Sequence, residues 1–247
     1  MSFLRNVLIT ALSSAALAAS PAAAQVVVDG TTYSSGDSLT LYFNGMSDKT
    51  VISGLKSELN LKFNGWDRST GDYLFDYALK NSSVGHSASE VTGFGFDTSP
   101  DPDLGLSKVT GDFTRFSSGN IANGFKVEFC VTGGPKCNGG SSTGPDVGQT
   151  WKGSFILGFS GTSNPGPITF SNFHTRYQSV TTTSARGITS NGGSATGNLT
   201  SVTSQFAPRI ISPVPEPATW GMMLIGFGAV GASMRRRRAH GRVLQTA

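Results

Sequence analysis

The chain has 247 residues, two cysteines and a formal net charge of +4. That positive balance belongs to the ends, because the stretch from Gln25 to Pro213 holds 8 Lys and 5 Arg against 11 Asp and 3 Glu. A body with a net charge of −1 lacks the overall basic footprint of a nucleic-acid binder, so the basic pI reports the ends and no nucleic-acid partner is expected.

At the N-terminus Arg5 precedes an apolar run from Val7 to Ala19. Pro21 breaks the run, and Ala22-Ala23-Ala24 supplies small residues. This order predicts a secretory signal peptide over 1–24, passed through the secretion translocon and cut by signal peptidase. The expected cleavage site is Ala22, Ala24 and Gln25, with the mature chain starting at or near Gln25. The run is too short and too rich in Ser and Ala to span a membrane comfortably.

From Gln25 to Phe206 the apolar residues recur with period two. Leu59, Leu61 and Phe63 alternate with Asn60, Lys62 and Asn64. Tyr73, Phe75, Tyr77 and Leu79 make a second row, and Trp151, Phe155, Leu157 and Phe159 share one parity. Phe125, Val127, Phe129 and Val131 alternate with Lys126, Glu128, Cys130 and Thr132. Such rows predict half-buried strands with one wet face. Turns are expected at Asn44-Gly45, Asn64-Gly65, Asn123-Gly124, Asn138-Gly139 and Asn191-Gly192. The fold class is therefore all-β, an antiparallel β-sandwich or jelly-roll-like domain over 25–206. Residues 178–205, rich in Ser, Thr, Gly and Asn, read as a loop, a flexible stem or polar edge strands.

Cys130 and Cys137 flank a turn-prone Gly133-Gly134-Pro135. In an exported chain this predicts one structural disulfide. Asp97, Asp101 and Asp103 lie on a Pro-stiffened loop and offer hard oxygens to calcium, although their spacing does not fit an EF-hand. A solvated loop is the plainer reading of the same residues, and no other cofactor is indicated.

Catalytic patterns are lacking: no G-x-S-x-G elbow and no H-E-x-x-H occur. His86 and His174 read as a loop residue and a satisfied strand residue, and His240 lies beyond an Arg run. Glu58, Glu90 and Glu128 are isolated in sequence, so the paired carboxylates of a glycosidase are not evident. No catalytic residue is assigned, and the expectation is a non-enzymatic protein. Trp66 and Tyr177 are the aromatics that could stack on matrix sugars if the body is instead a carbohydrate-binding module. A secreted hydrolase is the third class.

The tail begins with a Pro-rich stalk, 207–217, ending in Val214-Pro215-Glu216-Pro217. An apolar stretch, 218–234, follows, and Arg235, Arg236, Arg237 and Arg238 open a basic tail over 235–247. Seventeen residues at 1.5 Å each make about 25 Å, the short end for a spanning helix. A single C-terminal transmembrane helix is expected, with Trp220 at one interface and the Arg cluster on the cytoplasmic side. Gly226-Phe-Gly228-Ala-Val-Gly231 matches a dinucleotide fingerprint only superficially, since no strand precedes it and no βαβ unit can close.

Proline-Glu-Proline, a short apolar span and an Arg cluster, in that order, closely resemble the PEP-CTERM sorting signal. The likeness covers about Val214 to Arg238 and resembles the Trp- and Met-containing form associated with alphaproteobacteria. It implies recognition by exosortase, with Pro215, Glu216 and Pro217 acting as substrate and cleavage falling near them. It also implies an inner-membrane intermediate with a periplasmic body, release to the outer envelope or beyond, and a link to exopolysaccharide or biofilm.

Overall fold

The period-two rows become twelve strands among the described residues, which in this computed structural model are 24–122, 124–138, 143–161, 166–184, 187–208 and 217–240. In chain order they are β1 (Val26–Val28), β2 (Thr31–Tyr33), β3 (Ser38–Ser47), β4 (Thr50–Asp67), β5 (Asp72–Asn81) and β6 (His86–Ser99). Then come β7 (Asp103–Gly111), β8 (Arg115–Ala122), β9 (Phe125–Thr132), β10 (Thr150–Gly158), β11 (Ile168–Ser184) and β12 (Gly187–Gln205).

Ten strands run in the order β7-β10-β5-β4-β3-β12-β11-β6-β9-β8, all antiparallel. β1 adds in parallel to the start of β11, and β2 pairs with β1. The sheet folds back on itself and nearly closes into a barrel, with β7 approaching β8 across an unladdered seam. The expected all-β, antiparallel fold is present, and its facing sides belong to one sheet that is continuous at the β3–β12 pairing.

The inward row of each strand fills the core. Leu59, Leu61 and Phe63 are buried on β4, and Tyr73, Phe75, Tyr77 and Leu79 on β5. Rings from opposite layers meet in the middle: Phe75 lies 5.3 Å from Phe170, and Phe155 lies 5.7 Å from Phe96. Burying each such side chain contributes about 1.5–3 kcal/mol before entropy is counted.

Three of the expected turns lie inside strands instead. Asn44-Gly45 sits in β3, Asn64-Gly65 in a β4 bulge and Asn191-Gly192 in β12. At Gly45 a Cβ would fall 2.2 Å from Leu55 Cδ2, so the missing side chain serves packing. The β3–β4 hairpin turns at Asp48 and Lys49, whose φ values of 45° and 67° are those of a tight hairpin. Gly124 does sit at the β8–β9 turn, while Asn123 and Gly139 lie outside the described residues. Much of 178–205 forms β12, which is an interior strand held by β3 and β11. Its small side chains permit this: a Cβ on Gly197 would meet Thr175 Oγ1 at 1.9 Å.

The chain divides into two compact units, Met1–Ala207 and Pro208–Ala247. The second contains α1 (Pro217–His240), a helix over the expected apolar stretch. Among the described residues no helix is long and apolar enough to cross a membrane. Gly221, Gly226, Gly228 and Gly231 dilute the apolar run, so the expected transmembrane helix over 218–234 is present as a helix without that length of apolar surface.

Candidate functional site

Cys130 and Cys137 form the expected disulfide. Strand parity puts Cys130 on the wet face, yet it is buried with Ile121, Val127 and Cys137 in a small cluster of its own. The segment after β9 covers it: Gly133 N–H donates to the Thr92 carbonyl at 3.0 Å, and Val91 N–H to the Pro145 carbonyl at 3.2 Å. Closing so short a loop restrains the unfolded chain by roughly 2–3 kcal/mol.

A second feature replaces ladder bonds with carboxylates. The β6–β9 register ends at Phe96 opposite Phe129. Just beyond, Thr98 N–H donates to Glu128 Oε2 at 2.8 Å, and Glu128 N–H donates to Asp97 Oδ1 at 2.9 Å. Asn172 Nδ2 donates to Asp97 Oδ2 at 2.7 Å and to the Lys126 carbonyl at 2.8 Å. All three proposed calcium ligands are thus engaged within the fold, since Asp103 Oδ1 accepts from Gly105 N–H at 2.8 Å and the Asp101 side chain hydrogen-bonds to that of Glu128. Among the described residues no three His, Cys, Asp or Glu side chains form a metal-holding group.

Burial raises the Glu128 pKa above its ordinary value; the Thr98 N–H pulls it down, and the charges of Asp101 and Asp97 push it up. The folded protein therefore holds this proton more tightly than the unfolded chain. Its stabilising effect is fully present below the unfolded carboxyl pKa and is lost as pH rises through the folded value. Glu128→Gln is expected to raise Tm slightly at neutral pH and to flatten the pH dependence of stability above the ordinary carboxyl range. Thermal melts across that range check it, and an unchanged pH slope would contradict the assignment.

His174 is a packed strand residue, as its position suggests. Its Nε2 lies 2.9 Å from Asn172 Oδ1 and its Nδ1 lies 3.3 Å from the Gly197 carbonyl. The Phe125 ring covers it at 4.3 Å. Burial lowers its pKa, against opposing hydrogen bonds from Gly197 and Asn198 and the charge of Asp97. His86 opens β6 and is not in a loop.

Tyr177 cannot stack on a sugar. It is fully buried, its hydroxyl donates to Ser57 Oγ at 2.7 Å, and burial raises its pKa. Trp66 is half-buried against the core, with the Arg68 guanidinium 5.9 Å from its ring centre. It lines an open cavity of about 370 Å³ with Ser34, Ser35, Asn64 and Arg68.

In the second unit Met222, Leu224, Ile225 and Phe227 of α1 are all exposed, and the described helix runs on through Arg235–Arg238. Pro215 and Glu216 lie outside the described residues, as does the predicted signal peptide before Ala24. A family model for the PEP-CTERM protein-sorting motif matches residues 213–238. The tail is a PEP-CTERM sorting signal. This motif marks an exported, envelope-directed protein with exosortase as its processing partner. No curated protein and no solved structure matches the chain.

Proposed function

We propose that the β-rich body is a non-enzymatic envelope or matrix protein, delivered by signal peptidase and then exosortase, and linked to exopolysaccharide or biofilm. The sorting motif at 213–238 carries this reading. Two further observations support the route. Ile168 N–H donates to the Gln25 carbonyl at 3.0 Å, so the expected new N-terminus is tied into the sheet. The exposed apolar surface of α1, followed by four arginines, suits attachment of the precursor to the inner membrane before release. A non-enzymatic body is favoured because Glu128, Asp97 and His174 are occupied in strand-to-strand bonding.

Deleting the exosortase gene of the host is the test. Tail-bearing protein should then accumulate in the inner-membrane fraction, with loss of the released form. An unchanged distribution between fractions would contradict sorting by this route.

A further inference from the structure

Strand parity on one layer places the lysines in a pattern. On β3, β4, β5, β10 and β7 the outward residues form successive rows across the sheet. Asn44 pairs with Lys56; Tyr42, Glu58, Lys80 and Thr150 make the next row. Thr40, Asn60, Ala78 and Lys152 follow, then Lys62, Asp76, Ser154 and Thr110, and then Leu74, Ile156 and Lys108. Each row contributes one lysine, and all five are exposed. They are five of the eight lysines between Gln25 and Pro213, in a body whose net charge is −1. The carboxylates in these rows are Glu58 and Asp76; Asp67 and Asp72 pair beyond the fifth row, Asp103 opens β7, Asp112 Oδ2 accepts from Lys152 N–H at 2.7 Å, and Glu90, Asp97 and Glu128 lie on β6 and β9.

Rows two residues apart are separated by roughly 6.8 Å, so the five span about 27 Å. The floor is uneven in a useful way. One shallow depression of about 250 Å³ is lined by Tyr42, Glu58, Asn60, Ala78 and Lys80. Another of about 200 Å³ is lined by Leu74, Asp76, Lys108, Thr110 and Ser154. They follow one another along the outward residues of β5, from Leu74 and Asp76 to Ala78 and Lys80. Local bonds hold polar groups in place: Asn60 Nδ2 donates to Thr40 Oγ1 at 3.0 Å, and Ser154 Oγ donates to Asp76 Oδ1 at 2.7 Å.

We propose that this face binds an acidic polysaccharide, a linear chain with carboxylates spaced among hydroxyls. The lysines meet the carboxylates, while the Thr, Ser and Asn groups and the two acids meet the hydroxyls. A nucleic acid fits less well, because its unbroken phosphate charge would meet Glu58 and Asp76. The five rows also offer a single aromatic, Tyr42, where strand binding uses several stacking platforms. The proposal rests on the exported-matrix reading above, but its test does not depend on tail processing.

The test uses the full purified chain and polygalacturonate as probe, with dextran as neutral polysaccharide and a short single-stranded DNA as competing polyanion. Binding to polygalacturonate and not to dextran is expected, weakening about tenfold or more between about 50 and 300 mM NaCl. The triple variant Lys62→Gln, Lys80→Gln, Lys152→Gln should lose about tenfold in affinity while keeping its Tm, since all three side chains are exposed. Lys126→Gln with Lys136→Gln, outside these rows, should bind as the parent does. Equal binding by the triple variant, equal binding to dextran, or tighter binding to the DNA would overturn the proposal. So would lysine-dependent self-association without polygalacturonate binding, which would make the face an interface between copies. If the triple variant unfolds, single Lys152→Gln and the salt dependence decide the same question.

Discussion

Replacing Pro215, Glu216 and Pro217 together by alanine is expected to abolish tail removal, moving the protein from the released pool to the membrane-associated precursor. The prolines hold φ near −65° and disfavour helix just before them, so the stalk can reach an enzyme in extended form. Pro208 to Pro217, if extended as polyproline II, reaches roughly 30 Å. Glu216 is the single acidic residue between Gln205 and the C-terminus, and it stands directly before α1. Alanines would remove the proline restraint on the backbone and delete that charge, the two features that mark the motif in sequence. Immunoblots of membrane and released fractions read the outcome. Release at the parental level would mean that the Pro-Glu-Pro is dispensable.

Phe96→Ala is expected to cost about 3–5 kcal/mol, or roughly 10 °C in Tm for a body of this size. Phe96 is fully buried on β6 and touches five other rings. Phe170 lies at 4.8 Å, Phe129 at 5.5 Å, Phe155 and Phe173 at 5.7 Å, and Phe94 at 6.5 Å. Those partners come from β6, β9, β10 and β11, so removing the ring opens a void between the layers that no single strand can collapse to fill. Phe125→Ala is the contrast: Phe125 is 36% exposed, so its loss should cost about 1 kcal/mol or less. Urea or thermal unfolding of the two variants side by side checks the ranking. Equal losses would mean that the core is not centred on Phe96.

Strand parity was legible because half-burial repeats every second residue, as in the rows through Phe63, Phe75 and Phe155. Less legible were features that depend on how strands meet. Asn44-Gly45 has the composition of a hairpin turn, but Gly45 is there to admit Leu55 from the neighbouring strand. Parity also places Cys130 outward, and only the segment crossing β6 after β9 turns that site into a buried one. β12 has few large apolar residues, and its place inside the sheet comes from ladder bonds and close packing at Gly197.

The candidate sites divide in the same way. The sorting tail is a local sequence pattern, so it can be read without a fold. Asp97, separated by 31 residues from Glu128, becomes its partner only through the β6–β9 register. The lysine rows were within reach of parity alone, since Lys56, Lys62, Lys80 and Lys152 all alternate with inward residues. Joining them into one face required the strand order. Tyr177 shows the opposite failure: an aromatic in a Ser- and Thr-rich region looks exposed, yet Ser57 and Thr175 accompany it in the interior.

The most direct measurement is the intact mass of the mature protein recovered from the envelope or medium of its own host. Export and exosortase sorting predict a chain that starts at or near Gln25 and ends close to Pro217, without the Arg235–Arg238 cluster. A mature mass that still includes those four arginines would contradict the account.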